Sequence, residues 1–233
     1  MSCHRKNSPQ QSHYTINGTV LERVDQCRDL GIIIDHKLTF VPQVESVIAK
    51  ANALLGFISR TCRDMNNPHA LRTIYCSFVR SILEYGCLVW QPRFETHANR
   101  LELVQRRFTR FALRKLGWNY DAIPSYHLRC QLLSIDSLAV RRKLAAAMFM
   151  FDILGNRIDC SNLLASVNIN VPSRQTRNYS LLRPTIHRTV YGQHEPINRI
   201  SVIFNEFQHL FDFGMSRASY KERVLVASRS VNN

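Results

Sequence analysis

"DLGIIIDHKLTF", residues 29–40, marks the change of pattern on which the fold turns. Its apolar run, Leu30 to Ile34, lies between two aspartates and predicts a short buried strand. A turn follows, and from Pro42 the apolar residues recur at helical instead of alternating spacing. Val44, Val47, Ile48, Ala51, Leu54, Leu55 and Ile58 share one face, and Pro42 suits a first helical turn, so a helix is expected to end near Arg60. Upstream, "YTINGTVLERV" places Asn17-Gly18 between two alternating runs, the dipeptide that a type I′ hairpin turn prefers. The reading is therefore a little β structure first and helices after it.

The remaining helices carry their own punctuation. Asn67 is a good N-cap, Pro68 fits N1, and Leu71, Ile74, Tyr75, Phe78, Ile82 and Tyr85 are assigned to one face of a second helix running to Gly86. A third covers Ala98 to Leu116, with Leu101, Val104, Phe108, Phe111 and Ala112 facing inward and Gly117 as its stop. Two more are expected from about Ser125 and from Ser137 to Leu154, the latter strongly apolar. Residues 159–197 have a weak pattern broken by prolines and read as extended or loop structure carrying Arg174, Arg177, Arg183 and Arg188. A final helix, Ile200 to Phe211, precedes a tail expected to be mobile.

Thirty-one Lys and Arg against seventeen Asp and Glu leave a formal charge of +14 on 233 residues. That imbalance points to a polyanionic partner, nucleic acid before a membrane surface. Seven cysteines without a CxxC pair favour neither a disulfide framework nor a zinc site. "MSCHRKNSPQ" lacks the apolar core of a signal peptide, and the longest apolar run, Leu144 to Phe151, is too short to cross a bilayer. The expectation is an intracellular protein, cytoplasmic or nuclear, with free thiols and no membrane partner.

Chemistry is sought in combinations of groups. No two acidic residues are adjacent and no DxD occurs, so the local source of a two-metal centre is missing. The nine histidines are scattered, and GxSxG, GxxxxGK and GxGxxG are absent. No catalytic residue, metal ligand or cofactor is assigned.

The strongest positive signal lies in "RLELVQRRFTRFALRKLG", residues 100–117, where Arg100, Arg106, Arg107, Arg110, Arg114 and Lys115 face a single Glu102. Arg107, Arg110 and Arg114 recur at spacings of three and four and form one ribbon on the helix. Guanidinium groups so placed can track a phosphate backbone through charge-assisted hydrogen bonds, whereas a solvated helix face is the plainer reading. Tyr75, Phe78, Trp90 and Trp118 are candidates for stacking on bases, though aromatic residues at helical spacing are more often core.

Four motifs in order, "DLGIIIDHKLTF", "IAKANALLGFISR", "LRTIYCSFVRSILEYGCLVWQP" and "RLELVQRRFTRFALRK", resemble the C-terminal part of the reverse transcriptase of jockey-like non-LTR retrotransposons. A weaker likeness continues through "YGQHEPINRI" and Phe204-Asn205. The resemblance implies that Leu30 and Gly31 match the primer-grip region, where a strand leads from the catalytic palm into a helical thumb. It also implies that fingers and palm, with their metal-binding aspartates, would lie upstream of Met1, a missing partner segment for this chain. Gln43 departs from the family, whose members often have a histidine after the "LTF" segment.

The fold expected is mainly α: an N-terminal hairpin and strand (1–40), a thumb-like helical bundle (41–118), a C-terminal helical extension with a basic loop (119–215) and a mobile tail (216–233). The function expected is a truncated reverse-transcriptase-like protein that binds RNA or DNA, as a primer-template would be bound, and cannot polymerise alone. The alternative is a helical, host-adopted interaction module whose basic surface meets a protein partner.

Overall fold

A computed structural model describes residues 13–171, 179–188 and 190–230. The chain is mainly helical, with two small antiparallel strand pairs near its start, and it divides into two units, residues 1–133 and 134–233. This division lies beyond the 118/119 boundary expected from sequence, because a short helix at 126–132 packs back on the long helix that precedes it.

The first unit opens with two hairpins. Strands β1 (Thr15–Ile16) and β2 (Thr19–Val20) pair around Asn17-Gly18, as read from the sequence. Strands β3 (Gln26–Asp29) and β4 (Ile32–Asp35) pair with Asp29 opposite Ile32. This corrects the single strand expected over Leu30 to Ile34: Leu30 and Gly31 form the turn, both at positive φ (46° and 82°), and Leu30 is 82% exposed. Two central residues at positive φ define a type I′ turn, and nothing in a Leu-Gly pair between Asp29 and Ile32 advertises one.

Helix α1 (Val41–Thr61) begins beneath β4. Asp35 fixes that junction: one carboxylate oxygen accepts the Thr39 N–H (3.1 Å) and hydroxyl (3.0 Å), the other the Phe40 N–H (2.8 Å). Burial alone would raise the Asp35 pKa, but those donors to its charged form outweigh burial and hold it below the usual carboxylate range. Gln43, the departure noted above, is buried and accepts the Ile33 N–H at 2.9 Å, so it ties strand to helix.

The second expected helix is continuous in direction but changes its winding. Pro68–Ile74 (α2), capped by the Asn67 side chain on His69 and Ala70 N–H groups, passes into a π-helical turn over Tyr75–Arg80 and then into α3 (Ser81–Glu84). Leu71, Tyr75, Val79 and Leu83 are buried at strict intervals of four. In an α-helix such spacing would rotate away from the core by about 40° per step; the wider π turn absorbs that drift. Phe78 and Tyr85, assigned to the core face, are instead each 57% exposed. After a break at Gly86 (φ 63°), α4 (Cys87–Trp90) buries Trp90, whose indole N–H donates to the Tyr85 carbonyl at 2.7 Å. Helices α5 (Glu95–Lys115) and α6 (Tyr126–Leu132) complete the unit.

The second unit is built on α7 (Leu138–Leu154), buried along much of its length, with short helices α8 (Ser161–Ala165) and α9 (Val190–Gln193), then α10 (Pro196–Glu206) and α11 (Arg217–Ser230). Outside α8, α9 and the start of α10, the described residues of the stretch expected to be loop are irregular, with one bridge between Ile169 and Leu182. Asn205 holds it in place, its side chain accepting the Leu182 N–H (3.1 Å) and donating to the Leu182 carbonyl (2.8 Å). The expected mobile tail is corrected: α11 packs on α7 through buried Tyr220 and Val224, and Tyr220 stacks on Phe151 at 4.7 Å. An apolar stripe of only two or three residues in a charged sequence hid that helix from pattern reading. Among the described residues no helix is long and apolar enough to cross a membrane, and none of the cysteines is disulfide-bonded.

Candidate nucleic-acid interface

Helix α5 organises the first unit by presenting two chemically distinct faces. Its buried face holds Leu101, Val104, Phe108, Ala112 and Leu113, with Glu102, Gln105 and Thr109 among them. The helix stops as expected at Gly117 (φ 88°): Trp118 N–H donates to Leu113 and Gly117 N–H to Arg114, a Schellman pair of bonds that only a left-handed residue permits easily.

The polar members of the buried face form one network. Tyr75 Oη donates to Gln105 Oε1 (2.9 Å), Gln105 Nε2 donates to Tyr126 Oη (2.9 Å), and Tyr126 Oη donates to Glu102 Oε1. Burial first, and the nearby Glu102 carboxylate second, push both tyrosine hydroxyls above their ordinary pKa, so they remain neutral donors. The network joins the π turn, α5 and α6, and Tyr75 also stacks on Phe108 with ring centres 4.0 Å apart. Its effect is to lock the rotation of α5 about its own axis, which decides where the arginines point.

Those arginines emerge on the other side in two groups. Arg100 makes a two-pronged ion pair with Glu45 of α1, the second prong at 2.7 Å. The pair raises the Arg100 pKa and lowers that of Glu45. Arg107 Nη1 donates to Asn52 Oδ1 at 2.8 Å, and Lys115 Nζ donates to the Arg63 carbonyl. Residue numbers rise together in these contacts, so α1 and α5 run parallel and the cations line their seam. Of the residues expected from sequence, Arg100 is therefore neutralised, while Arg107 and Lys115 bond to neutral oxygen and keep their charge unopposed.

Arg106, Arg110 and Arg114 complete the set. All three are exposed; Arg106 lies over the Tyr126 ring at 5.0 Å, and Arg114 Nε reaches the Arg110 carbonyl at 3.4 Å. No carboxylate among the described residues pairs with Arg106, Arg107, Arg110 or Arg114. At 100° per residue the four fall within an arc of about 100° around the helix axis, and such an uncompensated stripe attracts phosphate.

The Leu30-Gly31 turn is positioned separately. Tyr85 Oη donates to the Leu30 carbonyl at 2.7 Å, and a Cβ on Gly31 would lie 3.6 Å from the Tyr85 ring. The tip of the hairpin is thus fixed by a side chain from the end of α3, with the Leu30 side chain directed to solvent. Of the stacking candidates, Tyr75 and Trp90 are fully buried, whereas Phe78 and Trp118 are exposed at 57% and 39%. In the second unit Arg183 and Arg188 are exposed; Arg174 and Arg177 lie outside the described residues.

Two participants escaped the sequence reading. Tyr126 and Arg129 sit in "SYHLRCQLL", a stretch whose spacing says only that it is a short helix. Arg129 is 3% exposed, an unusual state for an arginine and one that spacing alone cannot reveal.

Together these features define a basic, mainly helical protein with an arginine-rich helix held in a fixed orientation. Comparison with known proteins then gives a direction. The chain is similar to a probable RNA-directed DNA polymerase from transposon BS of Drosophila melanogaster, 26% identical over 107 residues, which is 44% of this chain and 12% of that protein. The likeness supports a reverse-transcriptase-like origin, and the chain spans a small part of the relative's length. No family model matches, and no solved structure matches.

Proposed function

We propose that this chain is the nucleic-acid-binding, thumb-like part of a reverse-transcriptase-like protein of non-LTR retrotransposon origin, acting inside the cell in the cytoplasm or nucleus. The observation that carries the reading is the stripe of Arg106, Arg107, Arg110 and Arg114, which the buried Tyr75–Gln105–Tyr126–Glu102 network holds to one side of α5. The likeness to a transposon polymerase supplies the ligand class, RNA or DNA resembling a primer-template. The Leu30-Gly31 turn has the role of a primer-grip-like contact. On this reading the chain does not polymerise DNA by itself.

Titrating a fluorescent hybrid duplex at several salt concentrations tests the binding role. Changing Arg107, Arg110 and Arg114 together to Gln should weaken binding to all sequences alike and lower the slope of log K against log salt by about 2 to 3, at roughly 0.7 to 0.9 per phosphate contact. Folding should survive, since exposed Arg and Gln have similar helix propensity. Unchanged affinity and slope would remove the stripe from the interface. Tight, salt-insensitive capture of a protein instead of nucleic acid would favour an interaction module. Primer-template, dNTPs and Mg²⁺ or Mn²⁺ should give no extension with the purified chain.

A further inference from the structure

Arg129 occupies a place that the folded chain alone does not account for. Its side chain is buried, and its Nε makes no hydrogen bond within the described residues. Its guanidinium lies over the Tyr126 ring at 5.5 Å, the same ring that Arg106 covers at 5.0 Å. Two like charges therefore share one aromatic ring. Arg110, one turn beyond Arg106 on α5, adds a third. Burial, then repulsion from Arg110 and Arg106, depresses the Arg129 pKa, so the folded protein holds this cation at a disadvantage.

A guanidinium resting on an aromatic face keeps its N–H groups in the plane of the fork, free at the edge. Neighbouring forks so arranged match the several oxygens of one phosphate, which accept bidentate, charge-assisted bonds and cancel the mutual repulsion. A carboxylate supplied by a helix or loop of this chain would serve the same end, but no acidic residue among the described ones pairs with Arg129.

We propose that Arg129, Arg106 and Arg110, at the junction of α5 and α6, form a phosphate-binding site. Resting on the function proposed above, the ligand is a backbone phosphodiester of the bound nucleic acid. Arg106 and Arg110, being exposed, meet the strand first; Arg129 is the fixed donor that sets its position. Tyr126 is a positioning residue, held by Gln105 and Glu102 and holding two guanidiniums in turn.

The site is tested by Arg129→Met and, separately, Arg106→Gln, neither of which belongs to the triple Gln variant. Each is titrated with the hybrid duplex over a range of salt, and each is heated with and without inorganic pyrophosphate. Arg106 is exposed, so its variant folds even if loss of the buried Arg129 side chain disturbs α6. Each variant should lower the salt slope by up to about 0.7 to 0.9, one phosphate contact, and pyrophosphate should raise the melting temperature of the parent chain but not of either variant. A parent chain that binds the duplex, with unchanged slopes in both variants and no pyrophosphate effect, overturns the site while leaving the proposed function standing. A parent chain that binds no duplex overturns the proposed function. The pyrophosphate arm then decides the site by itself: Arg129- and Arg106-dependent stabilisation retains it as a site for a smaller phosphate ligand, and no stabilisation removes it.

Discussion

The two hairpin turns of this protein have nearly the same backbone and quite different support. Asn17 and Gly18 adopt φ of 49° and 78°, Leu30 and Gly31 φ of 46° and 82°. Around the first turn both strands are exposed, and no Cβ built on Gly18 would meet anything within 4 Å. Around the second, β4 packs on α1, Gln43 and Tyr85 bond to its backbone, and Asp35 seals its end. Asparagine relieves the left-handed conformation from within, by hydrogen-bonding locally; leucine cannot, so the second turn keeps its shape through tertiary contacts. One turn is specified by its own residues and the other by its neighbours.

The largest break between them should come from the glycines. Alanine at Gly31 must hold a φ near 82°, which costs about 1–2 kcal/mol, while the 3.6 Å spacing to Tyr85 is ordinary contact and adds little. Because β4 is joined to α1, that cost should appear in full in the urea midpoint of the first unit. Gly18→Ala carries the same conformational cost, yet both strands of its hairpin are exposed, so the midpoint should stay put while the local amide protection of Thr19 and Val20 falls. Equal midpoint shifts for the two variants would show that the first hairpin is part of the cooperative unit.

Removing one tether gives the next effect. Tyr85→Phe deletes the hydroxyl that donates to the Leu30 carbonyl and should cost about 0.5–1.5 kcal/mol, less if water replaces it at this exposed position. The pH response follows from Asp35. Its folded pKa lies below the ordinary value of 3.8, so its stabilising contribution is fully present above that value and is lost as pH falls through the lower, folded pKa. Asp35→Asn should remove this acid dependence, lowering stability by a constant amount above about pH 4, with the difference from the parent shrinking as pH falls below it.

The same contrast explains what could be read in the sequence. Asn17-Gly18, the Asn67-Pro68 cap, the Gly117 stop and the arginine ribbon are local signals, in which residue type states the conformation directly. Leu30-Gly31 reads as the start of a strand, because the fact that decides it is a tyrosine 55 residues later. The inward face of the second helix was misassigned at Phe78 and Tyr85 for a related reason: the π turn changes the period on which the assignment rests. The arginine stripe was legible as a set, but its division was not. Only the parallel register of α1 against α5 shows that Glu45 claims Arg100 and leaves Arg107 with a neutral partner. Arg129 required the fold itself, since burial of a cation beside two others is a property of packing.

The smallest change should be the most informative about function. A leucine at φ 46° with 82% of its surface exposed contributes nothing evident to folding, and asparagine suits that conformation better. Leu30→Asn should therefore stabilise the first unit by about 0.5 kcal/mol, seen as a small rise in urea midpoint with an unchanged m-value. If the turn touches nucleic acid as a primer-grip-like contact, the same variant should bind the hybrid duplex more weakly, with its salt slope unaltered because an apolar contact releases no counterions. Stability and binding would then move in opposite directions, the mark of a residue retained for its ligand. A variant that is more stable and binds equally well would make the exposed leucine dispensable and confine the interface to the arginines of α5.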